Sequence, residues 1–398
     1  MTTFPRDELA SRAARVQSRM AEASIDAILV VQTADLFWLS GSVQTAHLLL
    51  PADGDPRLLV RKVLERARED SSLDDVRPLR SLKELPEQLR ETCGAPPWRV
   101  GMELDVLPAN SLRMYEKVLG DDADVVDASA ALLACRAVKS ELEIEELRAG
   151  GRVHGELFAC IPELFESGIA SYELQNRLDS RARTLGHCGV IRMRGLNVET
   201  GIGIIVSGEE GAIPSHSLFP IGGPGPCPWV AAGGSARPIA KNAPIIADYL
   251  ISLGGYHADC TRMAVHGSFP DEAAEIYARM QGELRHCESV VRAGSIPSQI
   301  YDEVVGRVRD ANLGDNFMGP GDLAVRFIGH AVGLEVNETP VLAPRFDAPL
   351  EVGNTIAIEP KYTHPSFGVI GVENTYVVRE DGLENLTDCP EDVIVIGG

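Results

Sequence analysis

Apolar and polar positions divide the chain into two patterns. From Arg6 to Ala23 the apolar residues recur at helical spacing, which predicts an amphipathic helix. Asp26–Val31 (DAILVV) is a short continuous apolar run of the buried-strand kind. His47–Leu50 and Arg57–Val60 repeat the strand pattern, Leu64–Asp70 reads as a helix, Trp98–Met102 as a strand and Ala109–Val118 as a helix. Strands alternating with helices predict an α/β layer. The pattern changes near Ala131–Lys139, which predicts one domain over 1–133 and a second over 134–398. Ser140 with Glu143 three residues on is a capping box, and it opens a helix running ELEIEELRAGGRVHGELFACI. Further helices are expected over Ser171–Leu185, Asp271–Ala293 and Ser298–Ala311, packed outside a curved antiparallel sheet. The class expected for this second part is α+β.

Two apolar hairpins in the last third carry charge. The first runs Ile245–Leu253, turns at Gly254-Gly255 and returns through Tyr256–Val265; a Gly-Gly pair between apolar runs signals a tight turn. That register sets Asp248 opposite Thr261 and diagonal to Asp259, with both aspartates on one face at roughly 7–8 Å between backbones. Cys260 then points to the other face. The second hairpin sets Glu359 and Glu373 symmetrically about a loop centred on Ser366, and His330 stands between Gly329 and Gly333. Carboxylates in such apolar strands are costly unless their charge is offset. Four carboxylates and one imidazole form a hard, oxygen-rich donor set that suits Mn or Co, with Zn or Fe also compatible. Five ligands exceed the needs of one ion, so a pair of ions about 3.5–4 Å apart is expected.

Composition narrows the partners. A net charge of −21 argues against nucleic acid and anionic membranes, which select basic surfaces. The 398 residues, 44% hydrophobic and 24% charged, are enough for two full cores. No apolar run approaches the roughly 20 residues needed to span a bilayer, and the charged start has no secretory h-region. The eight cysteines lack C-x-x-C spacing and read as reduced thiols, which fits a cytoplasmic location. Ser207–Pro238 is a Gly/Pro-rich insert expected to form a loop over the cleft. Its GGPGP run is no phosphate cradle, because no G-K-[ST] accompanies it; Trp229 is a candidate pocket wall or packing residue.

The order Asp248, Asp259, His330, Glu359, Glu373, set in GYHADCTR, GHAVGLEVNETP, AIEP and GVENT, resembles the pita-bread metallopeptidases: Xaa-Pro aminopeptidases, prolidases and creatinase-like enzymes. RAVKSELEIEELR is similar to the family's entry into its catalytic domain. The resemblance implies a C-terminal pita-bread fold and a smaller N-terminal α/β domain of ribonuclease H-like type. In that N-terminal part TADLFWLSG looks like the family segment leading to a Leu-Ser/Thr-Gly turn, with Phe37 and Trp38 either core or closing a partner's cleft. The resemblance further implies a dinuclear peptidase, working as a homodimer, that hydrolyses short peptides with metal-activated hydroxide. Asp248 would bind the first metal, Asp259 and Glu373 would bridge, and His330 and Glu359 would complete the second, Glu359 also moving the proton. Thr261 would orient a carboxylate.

Departures from the family pattern lie around the substrate. Where relatives read L-D-V-H-E this chain has Asn337, whose amide can still donate a hydrogen bond. Arg326 stands where some relatives have a histidine, four residues before His330, and could clamp a carboxylate. His216 is displaced by one from the family's A-x-P-H histidine, and Gly371 replaces an arginine two residues before the last glutamate. His257 is a weaker candidate for the pocket, and His266 and His364 read as solvated. These changes leave open a creatinase-like, ectoine-hydrolase-like or DMSP-lyase-like enzyme acting on a small amide or sulfonium, and a peptide-binding pseudoenzyme.

Overall fold

The structure, a computed structural model, describes residues 4–215, 219–387 and 389–397. It divides into two compact units, the first built from Met1–Arg136 with Arg194–Val198, the second from Ala137–Met193 with Glu199–Gly398.

In the first unit six strands, β1 (Ala27–Val30), β2 (Ala46–Pro51), β3 (Arg57–Val60), β4 (Asp75–Pro78), β5 (Trp98–Met102) and β6 (Ala123–Asp127), form one mixed sheet in the order β4-β3-β2-β1-β5-β6. Helices α1 (Arg6–Ala23), α2 (Thr33–Ser40), α3 (Leu64–Asp70), α4 (Leu85–Cys93), α5 (Ala109–Leu119) and α6 (Ser129–Ala137) complete it. The stretch TADLFWLS is helical: Gln32 caps it by accepting from the Asp35 amide, and Gly41 ends it at φ +77°. Its Trp38 is wholly buried, with Arg12 and Arg15 over the ring, so the core role holds. β4, α4 and β6 are not expected from the sequence pattern because each is short and half-polar.

The second unit begins at α7 (Glu141–Ala159), whose Ser140–Glu143 capping box is formed on both sides. α8 (Ile161–Leu164) and α9 (Ser171–Thr184) follow, and α10 (Asp271–Val290) and α11 (Pro297–Asp310) come later. Strands β7 (Gly203–Ser207), β8 (Pro244–Leu253), β9 (Tyr256–His266) and β17 (Ile394–Ile396) make a four-stranded sheet ordered β17-β9-β8-β7. A five-stranded sheet holds β10 (Gly329–Ala331), β11 (Glu338–Val341), β12 (Thr355–Ile358), β15 (Asn374–Val378) and β16 (Leu383–Asn385), ordered β11-β10-β12-β15-β16. β13 (Lys361–His364) and β14 (Gly368–Gly371) pair separately. No helix among the described residues is long and apolar enough to cross a membrane.

Alternation along β8 explains how the sheet positions the site. Ile245, Ala247, Tyr249 and Ile251 enter a core with Leu157 and Phe158 of α7 and Leu174 and Leu178 of α9. Ile246 enters a second core with Met280 and Leu284 of α10 and Val304 of α11. On that same face Asp248 and Leu250 line a cavity. A one-residue slip would bury Asp248 among the helices and expose Tyr249 to the cavity, so burial fixes the register.

Candidate metal centre

The β8–β9 ladder is unbroken. Gly254 (φ +55°) and Gly255 (φ +95°) make its two-residue turn, and Asp248 pairs with Thr261 while Asp259 pairs with Leu250, as expected. Cys260 faces the core behind. The Asp259 amide donates to Thr375 Oγ1, whose hydroxyl in turn donates to the Asp259 carbonyl, each at 2.9 Å.

The second hairpin keeps one register throughout but not one ladder. Ile358 pairs with Asn374 at one end and Lys361 with Gly371 at the other, so Glu359 lies opposite Glu373 in the gap between two ladders. At the gap the strands change partners. The Glu359 amide donates to Ile328 O at 2.9 Å, and Glu373 forms a backbone bridge with Thr261. Pro360, which cannot donate a ladder hydrogen bond, sits at this break. Arg262 secures the crossing from behind. Wholly buried, it donates to the carbonyls of Thr261, Glu373, Cys389 and Pro390 and to Asn374 Oδ1, all at 2.7–2.8 Å.

The five expected ligands converge. His330, on β10, has Nε2 3.5 Å from Glu359 Oε1 and 3.9 Å from Asp259 Oδ2. Ligand atoms of Asp259, His330 and Glu373 lie within 4.8 Å of one another, and Thr261 Oγ1 donates to Glu373 Oε2 at 2.7 Å. Asp248, Asp259, His330 and Glu359 line a cavity of about 250 Å³; Glu373 is buried behind it. Phe219, Phe327, Leu250, Ile204 and Val341 make most of the remaining wall apolar, with Asn337 and Glu338 as polar points. Glu338 is held by Lys139 at 2.8 Å. Burial first, then the charges of Glu373 and Asp248, push the Asp259 carboxyl well above the usual carboxylate range.

One residue at the centre was not anticipated. Lys361, fully buried, places Nζ 2.5 Å from Glu359 Oε2, 2.8 Å from Glu373 Oε2 and 3.2 Å from Asp248 Oδ2. Burial alone would depress its pKa, but these carboxylates outweigh burial and hold it well above the ordinary lysine value. The signal was legible: Lys361 stands two residues after Glu359 in an apolar strand, hence on its face, and opposite a glycine.

The donors fit one divalent ion. Asp259 Oδ1 and Glu373 Oε1 are buried oxygens without a hydrogen-bond partner among the described residues, a costly condition unless a cation meets them. They do not equally fit a second ion on Asp248, whose carboxylate already faces the ammonium.

The remaining candidates divide. Asn337 lines the cavity. Arg326 is exposed and absent from the lining, because its neighbour Phe327 takes the inward position. Trp229 is 84% exposed and not part of the lining of this cavity. His257 is buried in the framework: Nδ1 donates to Gly333 O, Nε2 accepts from the Arg192 amide, and burial pushes its pKa down to about 4. His364 stacks on Phe367, and His266 lies beside the Phe165 ring, so neither is merely solvated. His216 lies outside the described residues.

Comparison with known proteins agrees with this geometry. Residues 145–380 match the model of metallopeptidase family M24, and residues 12–138 match the creatinase/prolidase N-terminal domain. A probable dipeptidase PepE of Mycobacterium tuberculosis is 25% identical over 99% of this chain and 98% of its own length. An Xaa-Pro dipeptidase of Pyrococcus furiosus is 23% identical over 94% of this chain and 97% of its own. Among solved structures, an Xaa-Pro dipeptidase from Bacillus anthracis superposes with a TM-score of 0.82 at 21% identity, covering 98% of this chain and all of that one.

Proposed function

Since the chain belongs to metallopeptidase family M24, we propose that it is a metal-dependent peptidase of the Xaa-Pro dipeptidase or aminopeptidase type, acting on short peptides. The observation that carries this reading is the convergence of Asp248, Asp259, His330, Glu359 and Glu373 at one small, largely apolar cavity. The dipeptidase and Xaa-Pro dipeptidase names of its full-length relatives support the substrate class. A cavity of about 250 Å³ suits a short peptide rather than a folded chain.

Asp259, His330, Glu359 and Glu373 hold the metal, and their hard donors favour Mn or Co. When bound, a divalent ion there polarises a carbonyl and acidifies water. The chain's own residues do the rest. Glu359 takes and returns the proton at its carboxylate. The Asn337 amide donates to a substrate oxygen, and Phe219 and Phe327 exclude bulk water from the cavity. Thr261 and Lys361 orient Glu373 through Oε2.

The test is metal-stripped protein reloaded with Mn or Co and offered Xaa-Pro dipeptides, proline-containing tripeptides, proline-free peptides, and creatine-like small amides. Metal-dependent release from the proline peptides is expected. Glu359→Gln should lower kcat by about 10²–10⁴-fold. Cleavage of the small amides alone would move the activity to the non-peptidase branch of the fold, and no cleavage of any peptide would reject the reading.

A further inference from the structure

We propose that the ammonium of Lys361 replaces one of the two ions that the five-ligand pattern implies, so that the centre takes a single divalent cation on Asp259, His330, Glu359 and Glu373. The proposal rests on the metal-centre reading above and changes its count.

Three observations carry it. First, an ammonium has three donors, and Lys361 has three carboxylate acceptors, on Asp248, Glu359 and Glu373, at 2.5–3.2 Å. Asp248, the ligand the family pattern would give to the first ion, faces this cation. Second, the oxygens split between the two roles. Lys361 takes Oε2 of both glutamates; Glu359 Oε1 faces His330 Nε2, and Glu373 Oε1 and Asp259 Oδ1 are left buried with no hydrogen-bond partner among the described residues. One side of the carboxylate cluster is satisfied by the chain, and the other awaits one ion.

Third, the backbone makes room for the lysine. Gly371 lies directly across from Lys361, and a Cβ there would stand 2.5 Å from Lys361 Cγ and 2.8 Å from Pro360 O. The glycine that replaces the family's arginine is therefore the space through which the lysine stem reaches the carboxylates. Charge agrees with the count. Four carboxylates against one ammonium and one divalent ion leave a single formal negative charge. A second ion beside the ammonium would make the cluster net positive at short range. The ammonium is also tethered, so no loss of metal from solution can vacate its position.

The experiment reads stoichiometry, not turnover. Metal-stripped wild-type protein is titrated with Mn²⁺ by calorimetry, and its metal content is measured by elemental analysis after gel filtration. Crystals grown in Mn²⁺ are examined for anomalous scattering. One ion per chain is expected, with its anomalous peak against His330 and Glu359 and none between Asp248 and Glu373. Lys361→Ala, which removes the ammonium and opens its volume, should raise the count to two. Two ions in the wild type, or a Lys361→Ala protein of native circular dichroism that still takes one, would overturn the proposal. If the variant does not fold, the wild-type count and peak positions decide alone. A wild type with two ions leaves the peptidase reading standing. No ion in either protein removes both.

Discussion

The two carboxylate hairpins look alike in sequence and are built differently. The β8–β9 hairpin is one regular ladder from Pro244–Val265 to Leu253–Tyr256, and its two aspartates sit on it like any alternating pair. The hairpin of Glu359 and Glu373 is broken at the glutamates themselves, passing from the five-stranded sheet into the separate β13–β14 pair. A regular ladder can only display side chains at fixed intervals. A broken one lets the chain leave its sheet, and here the departing segment brings Lys361 in beside the carboxylates it follows. The supports differ too: α7 holds the first hairpin from outside through His154, which donates to Tyr249 O at 2.7 Å, while Arg262 holds the crossing of both hairpins from behind.

The comparison can be broken most forcefully at Arg262. Arg262→Met removes five hydrogen bonds, three of them to the buried acceptors Thr261 O, Glu373 O and Asn374 Oδ1, and should cost about 3–5 kcal/mol, read by chemical denaturation. An effect under about 1 kcal/mol would show that the crossing holds without it. Next comes the break itself. In Gly371→Ala the added Cβ presses on Pro360 O and the Lys361 stem, a loss of about 1–3 kcal/mol. The same substitution should alter Mn²⁺ affinity, since Lys361 must shift; unchanged affinity and stability would mean that the lysine does not depend on the glycine.

Near neutral pH the first hairpin gives the smallest effect, and it grows as pH falls. Burial pushes His154 down to about 3 from an ordinary value near 6.5. Its folded form thus resists protonation, so its contribution is complete above about pH 6.5 and is lost as pH falls toward 3. The unfolded chain binds the extra proton over that window, so stability should fall by about 1.4 kcal/mol per pH unit from this group. His154→Gln keeps an amide donor and does not titrate. Denaturation midpoints measured from pH 6.5 to 4 should be flatter by that slope, and identical slopes would remove His154 as the cause.

What could be read from the linear chain was what local periodicity carries. The Gly254-Gly255 turn and strict alternation set Asp248 against Thr261 and turned Cys260 away from the cavity. The capping box started α7 at Glu141. Glu359 and Glu373 were correctly placed opposite each other because a hairpin register follows from its centre whether or not every rung is formed. The order of the five ligands identified the family. Spacing did not give the directions of Arg326, Trp229 and His257: Phe327 takes the inward place beside Arg326, Trp229 is exposed outside the cavity lining, and Gly333 and Arg192 occupy both nitrogens of His257.

By itself, then, the sequence determined the two α/β-type and α+β-type patterns, the hairpin registers and which five side chains converge, since each rests on spacing within a few residues or on an ordered motif. Only the tertiary structure decided where charge is neutralised. Whether a buried lysine pairs with solvent, a helix end or a carboxylate cluster depends on which strands meet, and Lys361 meets Asp248 from a strand more than a hundred residues earlier. Electrostatic energy depends on distance in space and on the absence of water, and neither is a property of position along the chain.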